Sequence, residues 1–141
     1  MKDITQTLFD AFNRRDFETL DSLSSDHLEW LDVPSGIKFL GKNGLKTWCQ
    51  AWASAFSDSQ VKIENHFISG EFTCTEYVGK GTHTGELKLG TIKVPATHKP
   101  VEFRMVNVVR IQDGKIVNGK VYFDLSTLLR QVGMIEKPMA A

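Results

Sequence analysis

The side chains in this sequence best suited to chemistry are carboxylates and imidazoles set beside aromatic residues. Asp124 follows the apolar stretch from Ile116 to Phe123 and precedes Leu125, Leu128, Leu129 and Val132, whose spacing marks one helical face. A strand therefore hands over to a helix at a carboxylate, with Tyr122, Phe123 and Leu125 beside it. Burial among such neighbours disfavours the charged form and lifts the pKa toward the range useful for general acid or base work. Asp is also a favoured helix N-cap, so capping alone accounts for the residue equally well. Asp32, two residues after Trp30, is a second candidate carboxylate. His83 lies in GTHTGE, where it is either a solvent-exposed loop histidine or an acid/base group at a cavity mouth. His66 carries a weaker signal. Glu76 shares a strand side with Cys74 and Val78, where an unpaired ionised carboxylate is costly to bury, and Arg104 or Arg110 could pair with it. Trp30, Trp48, Trp52, Phe103 and Met105 are most simply core. As a lining they equally suit a flat, apolar ligand, with Asn107 on the same strand side as Phe103 and Met105.

Several signatures are absent: HExxH, paired CxxC, GxSxG, GxGxxG and GxxxxGK[ST]. Metal hydrolysis, thiol redox, the serine-hydrolase elbow and nucleotide phosphate binding thus lack a local motif, and chemistry without cofactor or metal is expected. Seventeen Lys+Arg balance seventeen Asp+Glu, so there is no overall electrostatic reason to bind nucleic acid or an anionic membrane surface. No apolar run approaches the ~20 residues that span a bilayer. The N-terminus, MKDITQTLFDAF, is charged and amphipathic where a signal peptide would be apolar, and Cys49 and Cys74 sit in apolar-patterned segments, so a cytoplasmic location is expected.

The elements that must position these residues follow from periodicity. With 141 residues and 41% hydrophobic content the chain suits a single domain, 1–135, followed by a tail, 136–141. Asp3 with Gln6 predicts a capped first helix with Ile4, Leu8, Ala11 and Phe12 inward, and Phe17, Leu20 and Leu23 predict a short second one. Residues 27–33 read as a strand with Leu28, Trp30 and Asp32 on one side. Leu45, Trp48, Cys49, Trp52 and Phe56 then line a third helix. From Ser59 the period becomes two. Val61, Ile63 and Phe67 share one strand side, residues 72–81 form the next strand, 85–99 read as a loop-rich insertion, and 101–112 form the longest strand. Asp113-Gly114 closes a hairpin, because Gly accepts the positive φ of a two-residue turn. Helices first and strands after is an α+β order, with helices on one sheet face and a small-molecule cavity between. Val106 and Val108, on the far side of the longest strand, call for a partner surface, so a homodimer is expected.

Four stretches together resemble the SnoaL-like polyketide cyclases of the nuclear transport factor 2-like superfamily. They are Phe56-Ser57-Asp58, Gly81-Thr82-His83-Thr84-Gly85, Arg110 to Val117 across the hairpin, and Asp124 with the run Leu128 to Gly133. The resemblance spans nearly the whole chain. It implies a cone-shaped, curved antiparallel sheet wrapped around N-terminal helices, a deep apolar pocket, and commonly a dimer through the outer sheet face. For true cyclases it implies intramolecular aldol closure of a polyketide ester, with one aspartate as general acid/base and neither metal nor covalent intermediate. That aspartate maps onto Asp124, and His83 matches the pocket-associated HTG motif. Where many relatives carry a Glu, His or Trp cluster, this chain has Asn118, Gly119 and Lys120. Asp124 and His83 are accordingly the expected catalytic residues. Trp30, Asp32, Trp48, Trp52, His66, Glu76, Phe103, Met105, Asn107 and Tyr122 are the expected substrate-binding ones, for a small apolar or polyketide-like carbonyl compound. The alternatives are a ligand-binding module without catalysis, or an isomerase, dehydratase or epoxide hydrolase.

Overall fold

The first helix begins where its cap dictates. In the computed structural model, which describes residues 3–135, Asp3 accepts the Gln6 N–H (2.9 Å) and the Gln6 side chain accepts the Asp3 N–H (3.2 Å). This reciprocal box opens α1 (Ile4–Arg14). In chain order follow α2 (Phe17–Leu23), β1 (Ser24–Asp32), β2 (Ile37–Leu40), α3 (Gly44–Ala55), β3 (Gln60–Ser69), β4 (Phe72–Thr82), β5 (Leu87–Leu89), β6 (Ile92–Val94), β7 (Pro100–Gln112), β8 (Lys115–Phe123) and α4 (Leu125–Gln131). The expected tail, 136–141, lies outside the described residues. Among the described residues no helix is long and apolar enough to cross a membrane.

The α+β class stands, but the expected cone-shaped, all-antiparallel sheet is corrected. The main sheet has the order β2-β1-β8-β7-β4-β3, so β2 and β3 are edges that do not pair with each other, and the sheet stays open. It is also mixed: β1 runs parallel to β8, with Glu29 opposite Asn118 and Asp32 opposite Val121, while the other pairs are antiparallel. The physical reason lies in connectivity. β1 is entered from a helix rather than a hairpin and docks beside the last strand, while closure would need a ladder between β2, only four residues long, and β3. The presumed insertion at 85–99 contains a second, two-stranded sheet, β5 with β6, that buries Leu87, Leu89 and Val94.

Unpaired strand backbone is met by side-chain amides. Asn13 of α1 both donates to Val61 O (2.9 Å) and accepts from Val61 N (2.8 Å) on the β3 edge. Gln131 of α4 does the same to Glu102, where β7 runs past the end of β8. Each amide acts as a one-residue strand and satisfies donors and acceptors that would otherwise template aggregation. A second correction concerns β3. Register jumps from Ile63 opposite Tyr77 to Asn65 opposite Glu76, so Glu64 is an extra residue and the facing alternation reverses. Val61 and Ile63 face the core as expected, whereas Phe67 turns outward, 60% exposed, and His66 turns inward. The core lies between the inner sheet face and helices α1 and α3: Leu8, Phe9 and Phe12 meet Trp48 and Cys49 over Trp30, Tyr77, Phe103, Met105 and Val109. Val106 and Val108 lie on the outer face, half-buried among Glu76, Tyr122, Cys74 and Lys120.

Candidate active site

Between these layers lies a cavity with about 50 Å³ of open space. Leu8, Phe9 and Phe12 come from α1, Trp48, Cys49 and Trp52 from α3, and Val61, Tyr77, Gly79, Phe103, Met105 and Asn107 from the sheet. The aromatic side chains interlock: Trp52 lies 6.1 Å from Trp48, 5.9 Å from Phe56, 5.9 Å from Phe103 and 5.5 Å from Phe123, centroid to centroid. Small-molecule sites usually measure ~300–1,000 Å³, so even a one-ring ligand displaces side chains here. Of the aromatic residues that line it, Trp52 alone is half-buried, the others being buried.

A hydrogen-bonded polar pair interrupts this mostly apolar wall, which Ser59 and Lys80 also border. The Tyr77 hydroxyl donates to Asn107 Oδ1 (2.8 Å), both residues are buried, and Asn107 Nδ2 has no partner among the described residues. Burial above all, with Cys49 and then Asp32 adding to it, pushes the Tyr77 phenol well above its ordinary range, so it stays a neutral donor. Burial pushes the Cys49 thiol up as well, so it is an inert thiol rather than a nucleophile. Two neutral polar groups therefore face an apolar chamber, and Asn107 Nδ2 offers an unused donor at a site where desolvated amides normally find an acceptor.

Asp32 is the buried carboxylate among the described residues, 3% exposed. Its Oδ2 accepts from Trp48 Nε1 (3.0 Å), and its Oδ1 accepts from Ser35 N (3.1 Å) and Ser35 Oγ (3.0 Å). It opens onto an adjoining recess of about 30 Å³ that shares Trp48 and Trp52 with the main cavity. Trp30 packs behind, 5.3 Å from Trp48, and is fully buried.

The expected catalytic pair stands elsewhere. Asp124 is exposed: it caps α4, its oxygens accepting from Ser126 N (3.0 Å) and Thr127 Oγ1 (2.7 Å). The Thr127 hydroxyl, with the Ser126 and Thr127 backbone, holds its carboxyl below the usual range, opposite to the expected rise. The difference is geometric, because the strand-to-helix corner turns this side chain into solvent while Leu128 and Val132 take the buried face. His83 is fully buried rather than loop-exposed, and burial lowers its pKa. Its Nδ1 accepts from Thr97 N (3.3 Å) with Thr97 Oγ1 2.9 Å away, and its ring lies 5.4 Å from Phe56. It does not line the cavity.

The motif around His83 instead clamps the end of α3. Asp58 accepts from Thr82 N (2.7 Å) and Thr82 Oγ1 (2.9 Å), bonds that lower its pKa. Ser57 N donates to Thr84 Oγ1 (3.0 Å), and Thr84 N and Gly85 N donate to Ala55 O (2.9 and 3.1 Å). These bonds join the FSD and GTHTG stretches and fix Phe56 against the cavity.

Of the expected substrate-binding residues, Trp48, Trp52, Phe103, Met105 and Asn107 converge on the cavity. His66 lies at the start of α1, bonded to Asp3 Oδ2 (2.5 Å) and Thr75 Oγ1 (2.8 Å). Glu76 and Tyr122 point outward from the sheet. Glu76 accepts from Asn65 (3.0 Å), while Arg104 and Arg110 take Glu64 and Glu71 instead. Sequence reasoning missed Tyr77 and Phe9. The signal for Tyr77 was its alternation with Thr73, Thr75 and Gly79, the side of β4 opposite the one that drew notice. Among the described residues no cluster of three or more His, Cys, Asp or Glu could hold a metal ion.

A family model described as SnoaL-like polyketide cyclase matches residues 2–132. IdmH of Streptomyces antibioticus, a candidate polyketide cyclase, is 28% identical; 92% of this chain and 96% of that one align at a TM-score of 0.76. A candidate SnoaL-like polyketide cyclase from Jannaschia sp. CCS1 is 17% identical, with 96% and 91% covered and a TM-score of 0.82. AclR of Streptomyces galilaeus, a candidate hydroxylase, is 18% identical, with 96% and 82% covered and a TM-score of 0.80. No curated protein matches the chain.

Proposed function

Since the chain belongs to the SnoaL-like polyketide cyclase family, we propose that its inner cavity takes a small apolar carbonyl compound and promotes enolate-type chemistry on it. The observation that carries this reading is the unpaired Asn107 Nδ2 in a mostly apolar wall, oriented by Tyr77. A carbonyl oxygen is the complementary group. When a proton leaves the carbon next to that carbonyl, negative charge grows on the oxygen. A fixed donor in a water-poor chamber stabilises that charge far better than water-screened donors do. Asp32 is the group we assign to take the proton, reached when Trp52 yields and the two recesses merge. The names borne by proteins of the same fold range from cyclase to hydroxylase, so the chemistry rests on these residues rather than on the fold.

The test uses a matched pair, acetophenone and ethylbenzene, alike in shape but only the first with an acceptor. Wild-type protein should be stabilised more by acetophenone in thermal-shift titrations, because a ligand of the folded state raises its stability by mass action. In Asn107→Leu with Tyr77→Phe, which removes both polar partners and leaves neither stranded, the preference should vanish. Equal stabilisation of the wild type by both compounds would refute the carbonyl site.

In this reading Asp124 holds α4 and exchanges no proton. Asp124→Asn should leave melting and ligand binding at wild-type values, since either side chain caps, whereas Asp124→Ala should lower the midpoint of urea unfolding.

A further inference from the structure

One wall of the cavity is bare main chain, at Gly79. A glycine inside a strand weakens it, and it is found there when a bulge, a tight packing contact or a close approach by another molecule requires it. The other glycines of the inner layers have visible packing reasons. A Cβ on Gly81 would lie 3.0 Å from Ser59 Cα, one on Gly119 would lie 2.4 Å from the Trp30 ring, and one on Gly85 would lie 2.2 Å from Ser54 O. Gly79 has none of these. Its φ is not left-handed, its register opposite Val61 and Phe103 is regular, and the nearest atom to an added Cβ is Val61 Cγ1 at 3.9 Å, an ordinary contact. The fold accepts a side chain at this buried, inward-facing position, and the chain supplies none.

We infer that Gly79 is a specificity-determining position whose uncovered backbone is kept free for the far end of a flat, two-ring aromatic ketone with its oxygen on Asn107. The inference rests on the carbonyl site proposed above. Distance sets the ligand's size: Gly79 faces Phe103 and Thr75 faces Asn107, four residues further along. At ~3.3 Å per residue that is ~13 Å, so one ring held at Asn107 stops short of Gly79, whereas two fused rings reach it. Phe9, Phe12 and Phe103 supply flat apolar walls along the path, and Trp52 is the ring that must yield.

The experiment measures binding of acetophenone and 2-acetylnaphthalene to wild type and to Gly79→Ala by calorimetry, with melting of both proteins unliganded. The expected result is an unliganded Tm equal to or above wild type, because Ala at a compatible backbone restricts the unfolded chain. Acetophenone affinity should stay within about twofold, while 2-acetylnaphthalene should bind at least about tenfold more weakly, the effect typical of one methyl group in an apolar pocket. A lower unliganded Tm would mean the fold itself needs the glycine, and unchanged naphthyl binding would mean no ligand reaches it; either overturns the inference. Wild type that binds acetophenone but not 2-acetylnaphthalene overturns it too, leaving the carbonyl site standing, and wild type that binds neither removes both.

Discussion

Gly85→Ala is expected to lower Tm by roughly 10–20 °C, the largest stability loss we anticipate from a single added methyl group. The new Cβ would lie 2.2 Å from Ser54 O and 3.1 Å from Ser54 C, both backbone atoms at the end of α3. Backbone cannot swing aside as a side chain can, so the loop must retreat by about an ångström. Retreat breaks the bonds from Thr84 N and Gly85 N to Ala55 O and strains the Ser57–Thr84 pair. Overpacking costs ~1–3 kcal/mol and each lost hydrogen bond ~1 kcal/mol, a large part of a typical stability of ~5–15 kcal/mol. Calorimetric melting checks this. A Tm within about 3 °C of wild type would show that the clamp on α3 is softer than its geometry implies.

Asp32→Asn should slow proton exchange at carbon by ~10²–10⁴-fold, the usual contribution of a positioned general base. The assay needs no natural substrate. Acetophenone in D₂O loses its methyl proton signal as it enolises, and the protein-catalysed rate is read by NMR. The amide cannot take the proton. It also fails to satisfy Trp48 Nε1, Ser35 N and Ser35 Oγ together, because only one side-chain oxygen remains, so a stability loss of ~1–3 kcal/mol should accompany the loss of rate. Rates are therefore compared per folded molecule, with Asp124→Asn as the variant expected to exchange at the wild-type rate. Wild-type binding without exchange would instead identify a ligand-binding module, and unchanged exchange in Asp32→Asn would remove Asp32 from the chemistry.

Where local rules decide structure, the sequence was readable. The Asp3 box, the inward face of α3, and the pairing of Leu28, Trp30 and Asp32 on one side of β1 follow from caps and period alone. At the β7–β8 turn, Asp113 and Gly114 both take positive φ, as the dipeptide suggests. What was not readable depended on events without a local signature. The extra residue at Glu64 reverses the facing of Phe67, and nothing around it distinguishes a bulge from plain alternation. Asp124 looked buried because its neighbours are apolar, yet a corner between strand and helix points one residue outward whatever flanks it. Asn107 was placed on the right side of β7, but its importance arises from Tyr77, thirty residues earlier in the chain, which takes its oxygen and frees its nitrogen.

The parallel pairing of β1 with β8 also determines when the sheet can be completed. Apart from this pair, the ladders of the main sheet join neighbours by hairpins or by the crossover from β4 to β7, whereas β1 waits for a partner from the far end of the chain. Closing so long a loop costs entropy that is recovered only once the contacts form, which makes this the slow kind of step. On the ribosome, β1 emerges with one edge bare and Trp30 uncovered, and it stays so until Gly119 arrives to lie against the indole. The last strand of the sheet to be synthesised thus joins the first, and the sheet that backs the cavity is complete only once β8 has emerged.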